Sequence, residues 1–100
     1  VTHALATAET LRAIRQPDML HTDDIRDVAR DLMWRRELPN EPPDEKRVHI
    51  SGHTPMDRMR RLRRLRLVRV DTGCPFGGRL TAWCGEADRT LSVASNYEVV

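Results

Sequence analysis

The sequence predicts an α+β fold in which helices come first and about four mostly antiparallel strands follow. Two helical patterns lie within residues 1–38, and short β-type segments bounded by Gly, Pro and Asp lie within residues 47–100. Residues 39–46 are rich in proline and acidic side chains, which cannot continue a helix and predict an exposed loop. We therefore expect one domain unit with a helical half, a connecting loop and a sheet half.

Two helices are predicted in the helical half. The first covers residues 8–15 and ends before Pro17, because proline lacks an amide proton. The second is capped by Thr22 or Asp23 and ends near residues 37–38. Its apolar residues recur at helical spacing and predict one buried stripe, formed by Ile25, Val28, Ala29, Leu32 and Met33.

The sheet half contains four strand candidates, at residues 47–51, 65–71, 79–84 and 90–94. Two turns rich in glycine and aspartate separate the last three candidates. Turns of this length and composition predict antiparallel hairpins.

Composition excludes several classes of protein. With 39% hydrophobic and 32% charged residues the chain is globular, and no apolar run approaches the roughly 20 residues that cross a bilayer, so we expect no membrane partner. Cys74 and Cys84 lie at a spacing that suits neither a disulfide framework nor a zinc site, which predicts free thiols and a cytoplasmic location. The first residue is Val rather than Met, which predicts a processed, truncated or incompletely recorded start.

One histidine, His53, stands out because it follows a predicted strand and a glycine and precedes Thr-Pro. A side chain at a strand end can face a cleft, where a neutral imidazole can bind a metal ion. Spacing alone favours the alternative of a histidine hydrogen-bonded at a turn. His21 and His49 have no partner at metal-ligand spacing and are expected on the surface.

Several blocks in order resemble the carboxy-terminal part of calcineurin-like metallophosphoesterases of the serine/threonine phosphatase type. That family includes bacterial and phage phosphatases and the phosphatase module of bacterial polynucleotide kinase-phosphatases. The blocks are LMWRRE at 32–37, GHTP at 52–55, DTGCPFGG at 71–78 and LTA at 80–82, and the resemblance covers about two thirds of the chain. It implies the carboxy-terminal portion of a β-sandwich flanked by helices.

The resemblance also implies roles for single residues. His53 would be a ligand of one of two adjacent divalent metal ions, with manganese first and iron or zinc as alternatives. Arg36 would grip the substrate phosphate, with Arg35 as the alternative by one residue of register. His3 matches a second metal-binding histidine except that Leu5 replaces a glycine, and the alternative is a frayed terminal histidine.

Two further features of the matching blocks have alternative interpretations. Asp71 would either orient a ligand histidine or cap the turn at Gly73, and we weigh the two equally. Trp34 adjoins the predicted apolar stripe and is expected to pack rather than to stack on a substrate.

The activity implied by the resemblance is hydrolysis of a phosphate ester by a metal-bridging hydroxide. The substrate would be a phosphoprotein, a dinucleoside polyphosphate or a nucleic-acid phosphate. The family's GD-x-HG, GD-x-x-DRG and GNHE blocks, which supply most metal ligands and the general-acid histidine, do not occur in the sequence. We therefore expect this chain alone to be inactive, and its partner to be the missing amino-terminal half of the domain.

A basic run places seven arginines between Arg58 and Arg69. Its candidates for binding an anion are Arg58, Arg60, Arg61, Arg63 and Arg64. The alternative is a short amphipathic helix or turn with a solvated face, because Met59, Leu62 and Leu65 recur every three positions. The second functional hypothesis is thus an inactive phosphatase-like module or structural subunit that binds RNA or an acidic protein through this run.

Overall fold

A computed structural model describes residues 1–16 and 21–96, apart from the side chains of residues 22 and 23. In this part of the chain the α+β class is confirmed, with two helices and two small sheets. The elements are α1 (Ala8–Arg15), α2 (Thr22–Trp34), β1 (His49–Ser51), β2 (Arg60–Leu62), β3 (Leu67–Arg69), β4 (Arg79–Cys84) and β5 (Arg89–Ala94). Among the described residues, neither of the two helices is long and apolar enough to cross a membrane.

Helix α1 has the predicted bounds and is capped by Thr7, whose Oγ1 accepts a hydrogen bond from the Thr10 amide at 3.1 Å. The predicted stop at Pro17 lies outside the described residues. Helix α2 begins one residue earlier than predicted, with His21 as its N-cap, and the Asp24 carboxylate accepts from the His21 amide at 3.2 Å. It ends at Trp34 rather than near residues 37–38, because the backbone turns to an extended conformation at the next residue.

The predicted stripe of α2 is not buried as expected. Ile25 and Met33 remain 52% and 48% exposed. The Ala4 amide donates to the Leu32 carbonyl at 2.8 Å, and the Thr10 hydroxyl donates to Asp31 at 3.0 Å. The helix is therefore attached to the preceding segment by polar contacts along one side, and much of its apolar surface faces solvent.

The first sheet has the order β1-β3-β2, with β1 parallel to β3 and β2 antiparallel to β3. The amino-terminal segment adds a single parallel bridge from Thr2 to Ser51 at the outer edge of β1. The core beneath this sheet consists of Leu5, Leu65 and Leu67, with Leu62 packed against them. The amino-terminal segment consequently lies beside the carboxy-terminal end of β1.

Strands β4 and β5 form the predicted antiparallel hairpin, paired from Arg79 with Ala94 to Cys84 with Arg89. The other predicted hairpin is wrong: β3 does not pair with β4, and a single bridge between Gly73 and Arg79 joins the two regions. The reason is the short 3₁₀ turn Cys74–Phe76, which redirects the chain into a separate sheet.

Candidate functional site

The fold brings together two histidines that are 50 residues apart in sequence. The Nε2 atom of His3 lies 3.2 Å from Nδ1 of His53, and the ring centroids are 5.1 Å apart. The backbones are joined there as well, since the Gly52 amide donates to the His3 carbonyl at 2.9 Å. The structure thus places His3 beside His53 and not in a frayed terminus.

His53 occupies a strained position. Its φ angle is 72°, and the Thr54 amide donates to the Gly52 carbonyl at 2.9 Å, so His53 is the central residue of a γ-turn. Positive φ costs conformational free energy in a residue other than glycine. Residues with such backbone strain are concentrated at functional sites. The imidazole carried by this turn contacts the ring of His3.

The other contacts of His53 come from the end of α2. The rings of Trp34 and His53 meet edge to face, with centroids 5.5 Å apart and planes at 88°. Trp34 was expected to pack, but it is 65% exposed, so most of its indole is open beside the histidine pair. Within the described residues, Nε2 of His53 is buried and has no hydrogen-bond partner.

The two imidazoles fit two ligands of one metal ion. Ligand nitrogens about 2.0–2.1 Å from a zinc ion are about 3.0 Å apart at a right angle and about 3.4 Å apart at a tetrahedral angle. The observed 3.2 Å lies between these values, although it also suits a single hydrogen bond between neutral rings. Across the described ranges no group of three or more His, Cys, Asp or Glu side chains could hold a metal ion. Further ligands would have to come from outside these residues.

Asp71 lies behind the His53 turn. Its Oδ1 accepts from the Gly73 amide at 3.0 Å, which is the turn-capping role considered for it. A Cβ atom built on Gly52 would lie 3.9 Å from Asp71 Oδ2, so the carboxylate adjoins the loop that carries His53. Among the described residues it makes no hydrogen bond to either site histidine.

Arg35 and Arg36 differ in their contacts. Arg35 donates through Nε to the Glu37 carbonyl at 3.0 Å and lies 3.9 Å from the Asp31 carboxylate. Arg36 is exposed and forms no ion pair with any carboxylate in the part of the chain that the structure describes. Of the two arginines, Arg36 is therefore the one without a carboxylate partner among the described residues.

The basic run forms β2, a 3₁₀ turn at Arg63–Leu65 and β3, so a turn is present in the run and an amphipathic α-helix is not. Asp57 pairs with Arg58 at 3.5 Å and Arg60 at 2.9 Å. Two more arginines of the run, Arg61 and Arg63, pair with Asp88, and Arg64 donates to a loop carbonyl. Contacts within the chain therefore engage all five candidate anion-binding arginines.

His49 is a correction to the sequence-based expectation of a surface side chain. It begins β1, is only 6% exposed, and its Nε2 lies 2.7 Å from the Thr2 hydroxyl. Burial lowers the pKa of His49 below its ordinary value. Strand alternation places His49 and Ser51 on the same, buried face. Because the apolar Val48 and Ile50 lie on the other face, the sequence pattern gave no signal that His49 is buried.

Over 51 residues the chain is 41% identical to the bis(5'-nucleosyl)-tetraphosphatase PrpE (asymmetrical) of Geobacillus sp. (strain WCH70). The match covers 51% of this chain and 20% of that protein, so the matched region spans about a fifth of the relative's length. No family model and no solved structure matches the chain. The similarity supports the metallophosphoesterase superfamily, whereas the serine/threonine phosphatase type stays a prediction.

Proposed function

We propose that the protein is a metal-dependent phosphoesterase that hydrolyses a dinucleoside polyphosphate, and that this chain supplies part of its active site. The observation that carries the proposal is the contact of His3 with His53, which joins two residues from distant parts of the sequence at adjoining strand ends. The name of the relative, a bis(5'-nucleosyl)-tetraphosphatase, favours this substrate over a phosphoprotein or a nucleic-acid end.

His3 and His53 would hold one divalent ion, with manganese first and iron or zinc as alternatives. When bound, such ions neutralise phosphate charge and lower the pKa of a water molecule. The exposed guanidinium of Arg36 would bind two phosphate oxygens through its planar fork and stabilise charge that develops during hydrolysis. The other ligands and the proton donor for the leaving group would come from outside the described residues.

The open indole of Trp34 supports a substrate that carries nucleobases. Its edge contacts His53 while most of its surface is exposed, so a base could stack on it beside the phosphate site. Stacking of a base on an aromatic side chain is worth about 1–3 kcal/mol. We expect Trp34→Ala to raise KM for diadenosine tetraphosphate about tenfold or more while leaving hydrolysis of p-nitrophenyl phosphate nearly unchanged. Equal losses with both substrates would contradict a stacking role.

The central experiment measures hydrolysis of diadenosine tetraphosphate by the full-length protein with Mn²⁺. We expect His53→Ala and His3→Ala each to lower kcat/KM by about 100-fold or more, because each removes a metal ligand. Arg36→Lys should lose activity as well, since lysine keeps the charge but not the fork. His21→Ala is the matched control, because His21 is exposed at the start of α2 and should leave activity unchanged. Full activity of His53→Ala would overturn the proposal.

The second hypothesis, a binding module that uses the basic run, has less support. Asp57 and Asp88 pair with four of its arginines, and a carbonyl accepts from a fifth, so part of the positive charge that would attract RNA or an acidic protein is balanced within the chain. A carboxylate paired with an exposed arginine reduces the net positive charge that an approaching partner meets.

A further inference from the structure

We infer that His49 is a positioning residue that holds His3 against His53 through the hydroxyl group of Thr2. The effect of His49 on metal affinity rests on the proposed function. The effect of His49 on the placement of His3 can be measured in the metal-free protein. His49 lies outside the blocks at 32–37, 52–55, 71–78 and 80–82 that carry the resemblance to phosphoesterases.

The hydrogen-bond directions at Thr2 follow from proton counting. The Thr2 hydroxyl donates its one proton to the Ala4 carbonyl at 2.6 Å. It is therefore an acceptor toward the His49 ring, whose Nε2 lies 2.7 Å away. His49 must then carry its proton on Nε2 and donate it. The same hydroxyl oxygen thus ties the buried histidine to the backbone on the far side of His3.

The Thr2 contact works together with two backbone bonds that align the amino-terminal segment with β1. The Thr2 amide donates to the Ile50 carbonyl at 3.0 Å, and the Gly52 amide donates to the His3 carbonyl at 2.9 Å. These bonds set the distance between the amino-terminal segment and β1. A pairing of one bridge stabilises a segment at the edge of a sheet only weakly. The side-chain bridge adds a contact on each side of His3, at Thr2 and at Ala4.

Burial makes this bridge rigid. His49 is enclosed at the start of β1, and its lowered pKa keeps the ring neutral near pH 7, with one ring nitrogen acting as a donor. A buried donor without its acceptor would be costly, so the ring and Thr2 stay paired. Side chains that hold a metal ligand in place typically change metal affinity about 10- to 100-fold when they are removed.

The first measurement is the ring ¹⁵N spectrum of the histidines in the metal-free protein at pH 7.5. We expect His49 to show the Nε2–H tautomer, and His49→Phe to move the His3 and His53 ring signals because their contact loosens. His49→Gln, whose amide can donate to Thr2, should restore signals close to those of the wild type. Unchanged His3 signals in His49→Phe would overturn the inference, as would failure of His49→Gln to restore them in a folded protein.

The second measurement is Mn²⁺ affinity of the full-length protein by calorimetry. We expect about a 10- to 100-fold weaker Kd for His49→Phe and Thr2→Val, and near wild-type values for His49→Gln and Thr2→Ser. Loss of affinity in all four variants would show a merely structural role and overturn the inference. If His53→Ala leaves Mn²⁺ binding intact while the His3 signals still respond to His49, the proposed function fails and the positioning role stands.

Discussion

At the scale of single residues, His53 combines backbone strain with contacts to the rings of His3 and Trp34. Its φ of 72° lies in the left-handed region, which costs a residue with a Cβ atom about 1–2 kcal/mol. Glycine has no such cost. The turn itself thus favours glycine over histidine at this position.

This strain predicts an order of stability between two variants. His53→Gly and His53→Ala both remove the ring, but only alanine keeps the cost of positive φ. We expect His53→Gly to be more stable than His53→Ala by about 1 kcal/mol in urea unfolding, with both inactive. The control is the pair Thr54→Gly and Thr54→Ala, because Thr54 does not have a positive φ and glycine should give no advantage there. Equal stability of the two His53 variants would show that the turn relaxes without strain.

His49 gives stability a dependence on pH. Its folded pKa is lowered by burial, so the unfolded chain binds a proton more readily than the folded chain. The free energy of unfolding should be greatest above the ordinary histidine pKa of about 6.5 and decrease as the pH falls below it. His49→Gln should flatten this decrease between pH 7 and pH 5 in urea titrations, whereas His21→Gln should not. Parallel profiles for wild type and His49→Gln would contradict the prediction.

The residues of the site were only partly predictable from the sequence. Spacing alone left His53 a turn histidine, and its pairing with His3 was implied by the resemblance, because no local pattern reports contacts 50 residues apart. The burial of His49 was missed, since a histidine in a three-residue strand carries no hydrophobic signal. The exposure of Trp34 was missed because its neighbours in α2 read as a core face. The metal-ligand roles of His3 and His53 stay predictions.

At the scale of elements, short-range sequence signals predicted the bounds of helices and strands better than the pairing of the strands. Helix α1 and strand β4 have the predicted bounds, because a capping threonine and glycine-rich turns mark them in the sequence. Strand β2 was missed because Arg-Arg-Leu has neither β-branched residues nor a buried side chain. The parallel pairing of β1 with β3 depends on contacts across an intervening segment, which periodicity does not encode.

One carboxylate, Asp88, links the turn of the β4–β5 hairpin to the basic run. Asp88, in the turn between β4 and β5, pairs with Arg61 and Arg63 and accepts from Trp83 Nε1 at 3.0 Å. The hydrogen bond from Trp83 is the main cause that lowers the pKa of Asp88, and Arg61 adds to it. The Arg61 guanidinium also lies 5.4 Å above the centre of the Trp83 ring.

We therefore expect Asp88→Asn to loosen the hairpin without unfolding the first sheet. Asparagine tolerates the positive φ of 48° at this position, so the change tests charge and not backbone strain. Amide hydrogen exchange in β4 and β5 should become faster, while exchange in β3 stays nearly unchanged. Glu86→Gln, which alters another carboxyl group of the same turn, should leave both strands unaffected. Uniformly faster exchange throughout the chain would instead indicate global destabilisation.

At the scale of the whole molecule, the apolar surface is distributed unevenly. The core beneath the first sheet is small, while the register of the hairpin places Leu80 opposite Val93 and Ala82 opposite Leu91 on one exposed face. A small core leaves little stability in reserve, so a few polar contacts between distant segments have a large effect. The most concentrated of these contacts lies where the helices meet the loop.

Asp44 makes that contact and predicts how the molecule responds to acid. Its Oδ2 lies 2.6 Å from the Arg15 guanidinium at the end of α1, and its Oδ1 accepts from the amides of Lys46 and Arg47 at 2.8 and 3.0 Å. These bonds, with Arg15 the largest cause, hold the pKa of Asp44 far below its usual range. The carboxylate therefore stabilises the fold fully above the unfolded-state pKa of about 3.9, and this contribution is lost as the pH falls below it.

We expect Asp44→Asn to lower stability at pH 7 and to remove part of the decrease seen between pH 5 and pH 2. The asparagine can still accept from the loop amides, so the loss isolates the ionic contact between α1 and the loop. Glu45→Gln is the matched control, because Glu45 is the adjacent, exposed carboxyl group. Urea unfolding followed by far-ultraviolet circular dichroism across this pH range measures both effects. An acid limb of the same steepness in Asp44→Asn would show that other carboxyl groups govern unfolding in acid, and that the helical half is held to the loop by packing instead.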